Sequence, residues 1–199
     1  MQSITKQIFP LLLILGLAAC KGGETPPPPD TFDRGAMLRH WSETLIRPGY
    51  AAATTTAASL LAQVEALDAT ADTSSLLAAR LAWQEAATAW QAVQFYDFGP
   101  AENSFGTLLE DLGTFPADTA GIEAYLTAGD TTLANFDRDT RGFAALDYLL
   151  FAPQGGSVGT TAARLGGPGG APRRAYLRAV ARDLHSRLAA VEAAWADYE

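Results

Sequence analysis

From residue 32 onward, apolar residues recur every three or four positions along most of the chain, a period that predicts helices rather than strands. Phe32, Met37, Leu38, Trp41 and Leu45 mark a first amphipathic segment, which Arg47-Pro48-Gly49 should end because proline and glycine break a helical run. Tyr50, Ala53, Ala57, Leu60, Leu61, Val64 and Leu67 mark a second, whose alanines let a neighbouring helix come close, while Thr54, Thr55 and Thr56 lower its propensity. Asp68 to Thr73 read as a loop. Thr73 or Ser74 then caps a third helix carrying Leu76, Leu77, Leu81, Trp83, Ala87, Trp90 and Val93, with Gly99 and Pro100 as its stop.

Residues 103 to 141 are less regular. Phe105, Leu108, Leu109 and Leu112 suggest one short helix, Phe115-Pro116 a turn, and Ile122, Tyr125 and Leu126 another short helix stopped by Gly129. Asp130 is the expected cap of a segment containing Leu133 and Phe136, and Asp139 or Thr140 the cap of the next. That next helix, Arg141 to Phe151, carries Phe143, Leu146, Leu149 and Leu150 on a wide apolar stripe and is expected at the centre of the fold. Pro153 to Pro172 holds seven glycines and reads as a long loop, possible as a lid but not as a phosphate-binding loop, since no strand precedes it and no Gly-Lys-Ser/Thr follows. The last helix opens at Pro172 and has the clearest apolar line, Leu177, Val180, Leu184, Leu188, Val191, Trp195 and Tyr198, opposite Arg173, Arg174, Arg178, Arg182 and Arg187. The expected fold is all-α, an up-and-down bundle of about four principal helices.

The chain start has another character. Lys6, the apolar run Ile8 to Leu17 and the small residues before Cys20 have the form of an export signal, too short to stay in a bilayer as a spanning helix. Leu17-Ala18-Ala19-Cys20 reads as a lipobox, so residues 1–19 are the expected lipoprotein signal peptide and Cys20 the lipidated residue; an ordinary secretory signal with a chance cysteine is the alternative. Cys20 is the only cysteine, which leaves no intramolecular disulfide. Gly22, Gly23 and Pro26 to Pro29 make residues 20–30 a tether of extended, polyproline-like chain, and residues 31–199 are long enough for one domain with a core. Lys21, rather than Asp, after the cysteine points to the outer membrane, with the protein facing the periplasm and held to the membrane through its lipid anchor. A net charge of -8 and a pI near 4.7 leave no basic face for nucleic acid.

Chemistry concentrates around Asp147. In so apolar a helix a carboxylate is paired, hydrogen-bonded, metal-bound or turned to solvent, because burying it alone is costly. Ala144 and Asp147 lie three residues apart and project from one face. Arg141 is placed to reach a buried carboxylate or an anionic ligand. Trp83 and Trp90, seven residues apart, read as core anchors, with ligand stacking as the alternative, and His185 reads as a partly exposed residue without a role.

The segment Gly142 to Asp147 resembles the GxHxxE region of the imelysin family of bacterial envelope proteins, with Ala144 in the histidine place and Asp147 in the glutamate place. Arg47-Pro48-Gly49-Tyr50, Ala82-Trp83, Trp90 and Phe98-Gly99-Pro100-Ala101-Glu102 are similar to further family features in the same order, so the resemblance covers about residues 38 to 198. It implies two related helical bundles with a site near their junction, of which this chain corresponds to the first. It further implies a binding lipoprotein linked to iron or other metal uptake, with Asp147, Glu102 and Asp97 as oxygen ligands for iron or a divalent metal and Arg141 nearby. Metallopeptidase activity, for which the family is named, is a second implication. A hydrolytic zinc takes about three protein ligands, commonly with histidine, and with Ala144, no HExxH and only His40 and His185 elsewhere, the residues argue against an enzyme. A structural module offering its surface to another envelope protein is the third expectation.

Overall fold

A single helical path, bent out of register once, sets the frame of the molecule. The computed structural model describes residues 31–103, 106–134, 136–151 and 157–198; the expected signal peptide, Cys20 and the tether to residue 30 lie outside the described residues. Contacts divide the chain after Arg34, and the unit Gly35–Glu199 holds the core. The helices are α1 (Arg34–Trp41), α2 (Arg47–Thr70), α3 (Thr73–Gln91), α4 (Leu108–Gly113), α5 (Thr119–Ala128), α6 (Gly142–Phe151), α7 (Val158–Gly166) and α8 (Gly170–Ala196). Glu102 and Asn103 pair antiparallel with Thr107 and Gly106, a two-residue ladder in an otherwise helical fold.

The break expected at Arg47-Pro48-Gly49 does not occur. A π-helical turn, Ser42–Ile46, joins α1 to α2, and Trp41, Ile46 and Arg47 all keep right-handed helical dihedrals. Pro48 offers no N–H and would press on the carbonyl four residues before it in a regular turn; the wider π turn absorbs that misfit. Gly49 serves packing: a Cβ there would lie 2.6 Å from Val93 Cγ1.

The turn also changes what faces inward. α2 buries Tyr50, Ala53, Ala57, Leu60, Val64 and Leu67, an unbroken three-and-four spacing, whereas α1 buries nothing. α2 packs along both α3 and α8. Its buried alanines share one core with Ala79, Ala82 and Ala86 of α3 and Val180 and Ala181 of α8, and small side chains let helix axes approach. Against expectation, α2 runs through Asp68 to Thr70, Ala71 ends it in the left-handed region, and the cap of α3 is Asp72. Asp72 accepts from Ser75 N at 2.8 Å while its own N–H donates to Ser75 Oγ, a capping box.

The fourth side of the bundle is filled by α6, not by α1. α6 lies against α8, α3 and α4 and buries Phe143, Ala145, Leu146, Leu149 and Leu150. Gly142 makes its seating feasible: its φ is +71°, and a Cβ would stand 2.4 Å from the Leu112 carbonyl oxygen of α4. Two expectations from the sequence need correction. Residues 131–134 and 136–137 form no helix, and Asp130 instead accepts from Thr132 N at 2.9 Å. The glycine-rich stretch contains α7, capped by Ser157 and burying Thr161, Ala162 and Leu165 against α8 and α3. None of the described helices is long and apolar enough to cross a membrane.

Candidate functional site

α6 presents two different sides. Inward, Phe143 stacks on the buried Trp90 with ring centroids 6.0 Å apart, Trp83 donates its indole N–H to the Phe143 carbonyl at 3.2 Å, and Trp83 meets Phe151 edge-on at 5.4 Å. These contacts give both tryptophans their core role. Outward, Asp147 is exposed and makes no hydrogen bond or ion pair among the described residues. Loss of part of its hydration to the surrounding protein pushes its carboxyl above the ordinary aspartate range. Ala144, half-buried, contributes a methyl group where a histidine would offer a nitrogen.

The other candidates lie elsewhere. Asp97 accepts from Leu109 N at 3.1 Å, fixing the start of α4. Burial first, and then the Asp97 charge, raise the Tyr50 phenol, whose hydroxyl donates to the Tyr96 carbonyl at 3.0 Å. Glu102 is exposed on the short ladder. Arg141 is buried and directed to Asp111, 3.6 Å away, so of its two expected destinations the carboxylate is the one it meets. Among the described residues no three His, Cys, Asp or Glu side chains gather to hold a metal ion, and Asp147, Glu102 and Asp97 therefore do not form one ligand set. A shallow groove of about 490 Å³ on α3, lined by Gln84, Glu85, Thr88, Ala89 and Ala92, contains none of the candidates.

What sequence reasoning missed is Asp111. It is only 5% exposed, and it receives Arg187 Nη1 at 2.7 Å and Arg138 Nε at 3.2 Å besides the approach of Arg141. One carboxylate thus ties α4, the segment Arg138 to Arg141 that leads into α6, and α8 together. Burial alone would lower the Arg187 pKa, but its hydrogen bond to Asp183 and the charges of Asp183 and Asp111 outweigh that and leave it raised. Glu123 on α5 is a second hub: Arg173 Nη2 reaches its two oxygens at 2.8 and 2.7 Å, Arg164 Nη2 lies at 3.0 Å, and the Tyr148 hydroxyl donates at 2.6 Å. Asp68 holds Arg174 and Arg178 of α8 in the same manner. The only trace of Asp111 in the sequence is its place between Leu108 and Leu112 on the apolar side of a short helix.

These features define an all-α bundle protein organised around a short apolar helix that seats its first glycine on a neighbouring backbone and turns an acidic residue outward. The imelysin family model matches residues 46–199, and the chain belongs to the imelysin family. It is similar in fold to the crystal structure of an imelysin-like protein from Psychrobacter arcticum 273-4, with a TM-score of 0.66 and 23% sequence identity over 81% of this chain. The match covers 49% of that protein, so this chain spans about half its length. No curated protein matches.

Proposed function

We propose that the protein is a lipid-anchored binding protein of the bacterial cell envelope, held to the outer membrane through Cys20 and facing the periplasm, and that its contact surface is the outward side of α6. The observation that carries this reading is Asp147: an exposed carboxylate without a partner among the described residues, on a helix whose other face is fixed by Trp83 and Trp90. A rigid support holds such a charge ready for a cationic group without an ordering cost at the moment of binding. The lipobox, the tether and the family membership supply the cellular setting.

The metal implied by the family resemblance does not fit the described residues as a site complete in itself. Ala144 supplies no donor, and no three ligating side chains converge. A link to iron or other metal uptake then takes the form of Asp147 adding one oxygen ligand to donors carried by a partner. Peptidase chemistry through a protein-held zinc needs about three ligands and an open position, and no catalytic step is assigned to these residues.

Titration of the full chain and of Asp147→Asn with ferrous iron, zinc and calcium tests the reading. Weak or no binding by the protein alone agrees with it, and stoichiometric binding lost in Asp147→Asn turns it into a metal-binding protein in its own right. Chelator-sensitive cleavage of an unstructured protein substrate would overturn it.

A further inference from the structure

One segment combines exposed apolar residues at helical spacing with arginines that the described fold leaves unpaired. Leu38, Trp41 and Leu45 follow each other at spacings of three and four and remain 56%, 48% and 51% exposed, while no residue of α1 is buried. The second feature is charge. The nine arginines from Arg80 to Arg187 all hydrogen-bond or ion-pair within the fold: Arg80 to the Leu150 carbonyl, and the others to Asp111, Glu123, Asp68 or Glu65. The side chains of Arg39 and Arg47 make no hydrogen bond or ion pair among the described residues. Arg34 lies over the Phe32 ring, 5.9 Å from its centroid, and residues 35 to 47 hold two further arginines against one glutamate in a chain whose net charge is -8. Exposed apolar surface and uncompensated positive charge coincide here.

We propose that α1 and the π turn lie on an anionic lipid surface, with Leu38, Trp41 and Leu45 entering the headgroup boundary and Arg39 and Arg47 meeting lipid phosphates. An amphipathic helix binds a bilayer in this way when an apolar face and basic residues occur together, and an indole ring is suited to the headgroup level. The choice of a bilayer over a protein partner rests on the reading of Cys20 as the lipid anchor. Cys20 precedes Arg34 by fourteen residues, and at roughly 3.5 Å per extended residue the intervening chain keeps α1 within about 50 Å of the acyl chains. A lipid anchor on so short a leash makes even a weak surface helix effective, because its local concentration is high. The π turn gives the arrangement its structural basis, since it separates the exposed line of α1 from the buried line of α2 in one continuous helical path.

The test uses the chain from residue 20 onward with Cys20→Ser, so that no acyl chain contributes; every buried core residue lies within it. It is mixed with vesicles of phosphatidylethanolamine and phosphatidylglycerol, or of phosphatidylcholine alone, and read by co-sedimentation and tryptophan emission. Of the four tryptophans Trp41 is the exposed one, Trp90 and Trp195 being buried and Trp83 half-buried, so a blue shift reports α1. The expected result is binding to the anionic vesicles that weakens with salt and falls about tenfold or more in Leu38→Ser/Trp41→Ser/Leu45→Ser and in Arg39→Gln/Arg47→Gln, with unchanged helical circular dichroism. No binding to anionic vesicles, or binding that the triple variant retains, overturns the proposal. A concentration-dependent dimer abolished by the triple variant also overturns it and assigns the stripe to a second copy. Acyl labelling of Cys20 in cells is read separately: labelled Cys20 without vesicle binding by α1 removes this proposal alone, and vesicle binding with unlabelled Cys20 removes the anchor alone.

Discussion

α1 and α8 carry the same kind of pattern and meet opposite fates. Both show apolar residues at spacings of three and four with arginines on other positions. In α8 the line from Leu177 through Val180, Leu184, Leu188 and Val191 to Trp195 is buried, and Arg173, Arg174, Arg178, Arg182 and Arg187 each meet a carboxylate from another part of the fold. In α1 the line stays in solvent, and Arg39 meets no carboxylate among the described residues. Periodicity thus reports that a helix has an apolar face. It says nothing about what covers that face, because the covering surface comes from elsewhere in the chain or from outside it.

The sharpest way to break this comparison is at Asp111. Asp111→Ala leaves Arg187, Arg138 and the buried Arg141 without their shared carboxylate, and the loss expected for removing one member of a buried charge cluster is about 3–5 kcal/mol. Urea denaturation measures it. Arg39→Gln, the matched change in α1, should stay within about 0.5 kcal/mol of the parent; equal effects at the two positions would erase the distinction between paired and unpaired arginines.

A matched leucine pair comes next. Leu184 is fully buried in α8, and Leu184→Ala should cost about 2–5 kcal/mol through lost apolar contact and the cavity left behind. Leu38→Ala should change stability by no more than about 0.5 kcal/mol. A large loss at Leu38 in the isolated protein would mean that the chain itself covers α1.

The smallest effect is a pH dependence at Glu123, which holds Arg173 of α8 and Arg164 of α7. Burial alone would raise its pKa, but the Arg173 and Tyr148 hydrogen bonds and the two arginine charges together hold it below the ordinary glutamate range. A carboxyl lowered on folding stabilises the native state fully above its unfolded pKa, near 4.3, and loses that contribution as pH falls through the folded value. The melting-temperature advantage of the parent over Glu123→Gln should therefore be present at neutral pH and shrink below about pH 4. A difference that stays constant with pH would show that Glu123 acts by packing rather than by charge.

Much of the bundle was legible before any coordinates. Tyr50, Ala53, Ala57, Leu60, Val64 and Leu67 were readable as one buried face, as was the line of α8 up to Trp195, since both are long and strongly periodic; Tyr198, read with that line, lies beyond the helix and is exposed. α7 escaped because its buried residues, Thr161, Ala162 and Leu165, are few and mostly small, and its flanking glycines mask the cap at Ser157. Of the candidate site, Asp147 was legible as the polar group of an apolar helix, and of the destinations weighed for it the structure shows solvent. Asp111 escaped because the arginines that give it meaning lie 27, 30 and 76 positions away.

The sequence by itself determined the helical class, the apolar faces of α2, α6 and α8, and the family, because these follow from local spacing and from residues that are neighbours in the chain; on α3 it pointed also to Leu77 and Leu81, which lie in solvent while Ala79, Ala82 and Ala86 are buried. Only the tertiary structure decided that Pro48 is carried through a π turn, that α6 rather than α1 completes the bundle, and that Asp111 collects guanidinium groups from two distant parts of the chain. The physical reason is that propensity and amphipathicity are properties of a few consecutive turns. Burial and charge pairing are properties of surfaces that meet only after the chain has folded.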